Sequence, residues 1–252
     1  MGISFYQGIP VYTTYTVTHL LSAGESGIIL DDGGRSKEIG YAAGTAAAFL
    51  HSFAKKHVGD KAAFNAPEFV VTANDYYFDR ISSTITERSS GDRVLFFLLS
   101  DLIILLQSAK ALYMGKLFGS LLWLKFATIN LFNVCEAIKA FSNYARGSNN
   151  KLYPQDLLDD ISRLITRDER KKIEKTRRLR NAMIHYDFKP EMLPNTENET
   201  TIDNLIEVAI NTLMHMSTDE YMYFLISTVD VIVERISTLI SFPIYSTRKN
   251  VL

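Results

Sequence analysis

One decapeptide gathers the residue types that act on phosphate esters. Residues 177–186 read Arg177-Arg178-Leu179-Arg180-Asn181-Ala182-Met183-Ile184-His185-Tyr186. Histidine titrates near neutrality, so His185 suits proton transfer to or from a hydroxyl. Arginine is permanently charged and its planar fork matches phosphate oxygens, so Arg180 suits the stabilisation of charge on an attacked phosphate. Asn181 stands four residues before His185, within reach on a helix, where its amide can orient the imidazole or contact phosphate. Cleaving RNA without a metal needs few groups. A base takes the proton of the ribose 2′-hydroxyl, and a cation holds the phosphate it attacks.

The decapeptide closes the most basic segment of the chain. From Arg163 to Arg180, nine Lys/Arg stand against three acids, Asp168, Glu169 and Glu174, for a local charge of +6, while the whole chain is −1. The remainder is therefore net acidic. A focused positive field of this kind calls for an anionic partner, and RNA supplies phosphate in a row. Arg177 and Arg178 are the residues placed to follow its backbone.

The segment reads as a helix. Thr166 and Glu169 form a Thr-x-x-Glu capping box, and no Gly or Pro follows until Pro190, so a helix is expected from Arg167 to about Tyr186. At about 100° per residue, Glu174, Arg177, Arg178, Asn181 and His185 share one side. Thr176, Leu179, Met183 and Tyr186 lie opposite and face a core. Arg180 and His185 are roughly 140° apart on such a helix. A straight single copy points them in different directions, so a bend, a swung side chain or a second copy of the helix is needed to unite them.

The run Arg180-Asn181-Ala182-Met183-Ile184-His185 resembles the signature of the HEPN superfamily, an arginine, usually a polar residue next, and a histidine after about four to six positions. The likeness covers six residues of the 252. It implies an all-α helical bundle acting as a metal-independent endoribonuclease, with no cofactor and a 2′,3′-cyclic phosphate product. It also implies a homodimer whose two motifs face each other, in the manner of toxin–antitoxin or phage-defence effectors, with an antitoxin or regulatory protein as a further partner. On this reading Arg180, His185 and Asn181 are catalytic, and Lys175, Arg177, Arg178 and Tyr186 bind RNA. A second reading stays open, a non-catalytic helical module that binds RNA, nucleotide or a protein through the same basic face.

Composition bounds these readings. With 47% hydrophobic and 22% charged residues, the chain has the makeup of a globular protein with a sizeable core. A single cysteine, Cys135, leaves no internal disulfide and fits a reducing cytoplasm. No basic region followed by an apolar run opens the chain, so no signal peptide is expected and Asn198-Glu199-Thr200 is a chance sequon. The apolar runs 94–106 and 117–135 are interrupted, the first by Asp101 and the second by Lys125, Asn130 and Asn133. Both read as buried helices at the centre of a bundle rather than membrane spans. Asp101 and Glu136 read as polar groups satisfied by their neighbours. The five histidines, His19, His51, His57, His185 and His215, show no metal-ligand spacing.

Along the chain, residues 1–35 form an N-terminal arm and 36–252 a bundle of about six to eight helices. The β-branched run 11–18 and Ile28-Ile29-Leu30 before Asp31-Asp32-Gly33-Gly34 are strand-like. Helices are expected over 37–57, 74–88, 92–116, 118–146, from Pro154 to about 165, over 167–186, 202–216 and 218–241. Residues 59–72 and 189–201 read as loops around their prolines. Ser217 and Glu220 form a second capping box.

Overall fold

The computed structural model describes residues 1–6, 8–13, 71–89, 91, 93–114, 120–147, 153–185, 187–192 and 202–244. All of them belong to one compact unit. Its helices are α1 (Phe78–Arg88), α2 (Val94–Met114), α3 (Ser120–Gly147), α4 (Gln155–Arg163), α5 (Arg167–Lys175), α6 (Arg177–His185), α7 (Ile202–Met214) and α8 (Thr218–Ile240), with a 3-10 turn at Pro190–Met192. The fold is an all-α bundle carrying a small antiparallel sheet.

The longest apolar run makes the central helix. Leu95, Phe96, Leu99, Ile103 and Leu106 of α2 are almost fully buried, each contributing about 1.5–3 kcal/mol by leaving water. They pack against α3, α8 and the N-terminal strands. Val94–Ala111 is long and apolar enough to cross a membrane by length and composition, yet 61% of that window is buried inside the protein. Most of its apolar side chains are covered by neighbouring helices and the sheet, while Val94 and Leu105 stay exposed. Asp101 is half-buried and engaged, and Glu136 pairs with Lys139 at 3.6 Å. Helix α8 presents Tyr221, Leu225, Val229, Ile232, Val233, Ile236 and Ile240 at three- and four-residue spacing to the same core. Within it the Tyr221 and Thr128 hydroxyls share a 2.9 Å hydrogen bond, and burial pushes the phenol above its ordinary range.

The N-terminal sheet departs from the expected strands. β1 (Gly2–Tyr6), β2 (Ile9–Thr13) and β3 (Val71–Asp75) lie antiparallel in the order β2-β1-β3. Tyr6 pairs with Ile9, and Gly8 turns the chain at φ 81°, a conformation costly for any residue with a Cβ. Pro10 sits on the edge strand, where its missing N–H breaks no inner ladder. Ile3 and Phe5, both 0% exposed, anchor the sheet to the helical core.

β3 occupies positions expected to be the end of a loop and the start of a helix, so α1 begins at Phe78 rather than Asn74. Pairing with β1, about seventy residues earlier, overrides the local pattern there. The terminal amine of Met1 donates to the Tyr76 carbonyl at 2.8 Å and fastens the junction. Pro154 stands one residue outside α4 as its N-cap. The strand-like run 28–30, the helix expected over 37–57, the arm boundary at 35/36 and His19, His51 and His57 lie outside the described residues.

Candidate functional site

The basic segment is held by a capping box. The Thr166 hydroxyl accepts from the Glu169 N–H at 3.2 Å, and the Glu169 carboxylate accepts from the Thr166 N–H at 2.8 Å. Glu169 also receives Arg235 of α8 at 2.7 Å, which ties α5 to the core. Burial pushes the Glu169 carboxyl up, but the bonds from Arg235 and Thr166 outweigh it and hold the group below its usual range.

The expected single helix from Arg167 to Tyr186 is two helices. α5 ends at Lys175, and Thr176 adopts φ −72° and ψ −8° before α6 resumes. The reason is local. The Thr176 hydroxyl donates to the Ile173 carbonyl at 2.6 Å and its N–H to the same oxygen at 2.9 Å, tightening that turn into an i→i+3 pattern. The Arg180 N–H then reaches the Thr176 carbonyl at 2.7 Å, so the chain re-enters a helix at once.

The two sides of α6 follow the sequence pattern. Thr176, Leu179, Ala182 and Met183 are buried, while Arg177, Arg178, Asn181 and His185 are exposed. The buried side packs between α3 and α7. Tyr186 lies outside the described residues.

Arg180 sits on the flank between these sides, half-buried and turned toward α3. Its Nη1 donates to Asn181 Oδ1 at 2.8 Å and its Nη2 to Asn133 Oδ1 on α3 at 3.3 Å. Its guanidinium carbon lies 5.0 Å from the centre of the Phe132 ring, and that of Arg177 lies 5.5 Å from the same centre. The structure thus brings Arg177, Arg180 and Asn181 into one cluster. Asn181 serves the arginine rather than His185. His185 is exposed and forms no hydrogen bond or ion pair among the described residues. Sequence reasoning did not place Phe132 or Asn133 at the site. The available signal was Asn133 itself, a polar residue interrupting an apolar helix.

Much of the positive charge along α5 and α6 has no ion pair among the described residues. Among the described residues, Arg167, Lys171, Lys172, Lys175 and Arg177 form no ion pair, and all five are exposed. Arg178 meets Glu191 only at 3.6 Å, with both side chains more than half exposed, a pairing worth little in water. Glu169 and Glu174 are engaged by Arg235 and Lys139 from other helices. In one cleft away from α6 the arginines are paired with acids. A cleft of about 500 Å³ between α1, α4 and α8 is lined by Arg88, Arg163 and Arg235. Arg88 bonds Asp160 at 2.8 Å and Asp156 at 3.0 Å, Arg163 lies 3.7 Å from Asp160, and Arg235 holds Glu169. Cys135 is 1% exposed, and burial pushes its thiol up to about 11, which removes it as a nucleophile.

The chain matches no family model, no curated protein and no solved structure.

Proposed function

We propose that this protein is a metal-independent endoribonuclease of HEPN type, working on RNA laid along α5 and α6. The observation that carries the reading is the setting of Arg180. An arginine fixed by two asparagine oxygens and an aromatic ring, with Arg177 against the same ring, is a pre-oriented phosphate ligand, and the same short helix carries a histidine that engages no described residue. His185 takes the proton of a ribose 2′-hydroxyl, and the freed oxygen attacks the adjacent phosphorus. Arg180 stabilises the charge that builds on the phosphoryl oxygens. The 5′-oxygen leaves and takes a proton from water while His185 returns its own to solvent, giving a 2′,3′-cyclic phosphate and a 5′-hydroxyl end. Such an enzyme fits a toxin or phage-defence effector acting in the cytoplasm, restrained by an antitoxin or regulatory protein.

Incubation with mixed RNAs in excess chelator tests the reading. The expected result is cleavage by the wild type and its loss in Arg180→Ala and His185→Ala. A wild type that binds RNA without cutting it transfers the site to the second reading, a non-catalytic binding module.

A further inference from the structure

We propose that α3 completes a clamp for a single phosphodiester group, with Phe132 and Asn133 positioning Arg177 and Arg180 around it. This rests on the proposed action on RNA but concerns binding, and it adds residues from outside the basic segment. Arg177 and Arg180 are three apart on α6, hence neighbours on its surface. Both guanidiniums lie against one ring, at 5.5 and 5.0 Å from its centre. Two cations against one ring repel each other, and the ring's negative charge density offsets this only in part. An anion between them removes the repulsion, and a phosphate has oxygens for both forks.

Asn133 sets the direction of the second fork. Its Oδ1 receives Arg180 Nη2 at 3.3 Å, while Asn181 Oδ1 receives Nη1 at 2.8 Å. Both acceptors are neutral amides, so they orient the guanidinium without cancelling its charge. A carboxylate at either position would occupy Arg180 as an internal anion. Because Phe132 is only 6% exposed, it supports the arginines rather than stacking on a base. The clamp therefore reads phosphate and not sequence.

The test measures binding of the full chain to a single-stranded oligonucleotide of on the order of ten nucleotides. The oligonucleotide lacks 2′-hydroxyls, so it cannot be cut by this route. Arg177→Ala and Arg180→Ala are each expected to weaken binding about tenfold, but together by far less than the product of the two losses. The slope of log affinity against log salt should fall in the double variant by about 0.7, one phosphate's worth, not about 1.4. Asn133→Asp should weaken binding about tenfold while leaving thermal stability unchanged or raised, and Asn133→Gln should restore most of the affinity. Multiplicative losses with a slope change of about 1.4, or wild-type affinity in Asn133→Asp, would overturn the clamp. If Asn133→Asp fails to fold, the arginine pair carries the test alone. These outcomes are separate from cleavage. A wild type that does not cut RNA but shows the coupled losses removes the nuclease and keeps the clamp. Cutting in chelator with independent arginine losses does the reverse.

Discussion

At the scale of single residues, Arg180 and Arg178 differ in what surrounds them. Arg180 is fixed by two asparagines and a ring, whereas Arg178 is exposed and faces Glu191 at 3.6 Å. Removing the first should damage the chemistry and removing the second only attraction. Arg178→Glu is accordingly expected to lower affinity for RNAs of every sequence alike and to flatten the salt dependence, with single-turnover cleavage at saturating RNA unchanged. A drop that depends on sequence would assign Arg178 to base recognition instead. His185→Ala should lower cleavage by about 10²–10⁴-fold, the usual contribution of a positioned base, with RNA affinity kept. Cys135 has no part in this chemistry. It is buried with its thiol pushed up to about 11, so alkylation should be slow until denaturant opens the core, and Cys135→Ala should retain full activity. Rapid labelling of the folded protein would contradict that placement.

At the scale of elements, α5 depends on Glu169. One carboxylate completes the cap at Thr166 and joins Arg235 of α8. Glu169→Ala is expected to cost about 1–2 kcal/mol at neutral pH, the range for losing a helix cap. Its pH dependence follows from the depressed pKa. The contribution is fully present above the unfolded carboxyl value of about 4.3 and disappears as pH falls through the lower folded value. Urea titrations should show a constant gap between wild type and variant above about pH 5, closing as pH falls below the unfolded carboxyl value. A gap that widens in acid would mean that Glu169 is held protonated in the fold. The break at Thr176 matters at this scale too. It separates the capped α5 from α6, so α6 takes its orientation from packing against α3 and α7.

At the scale of the whole molecule, the proposed cleavage requires Arg180 and His185 to meet. Arg180 turns toward α3, and His185 engages no described residue. A two-fold axis beside α6 would let Arg180 of one copy approach His185 of another. It would also bring two basic faces together, and RNA would relieve their repulsion, so RNA should tighten the dimer by linkage. Mixing Arg180→Ala with His185→Ala tests the shared site. The mixed dimer holds one intact Arg–His pairing, and activity is expected to return to a fraction of the wild-type level. Full activity in a species that light scattering shows to be a monomer would exclude it.

Local signals determined much of the helical part. The Thr166 and Ser217 capping boxes stand where they were expected, because a cap needs only residues three apart. The sides of α6 also follow the sequence, since apolar periodicity and burial express the same geometry. Tertiary structure decided what depends on distant residues. β3 forms where the end of a loop and the start of a helix were expected, because β1 offers it an edge. Thr176 breaks the basic helix through a hydroxyl bond that propensity alone does not demand. Asn133 was visible as an amide interrupting an apolar run, but its partner was not. Only the packing of α3 on α6 brings it to Arg180, 47 residues further along the chain.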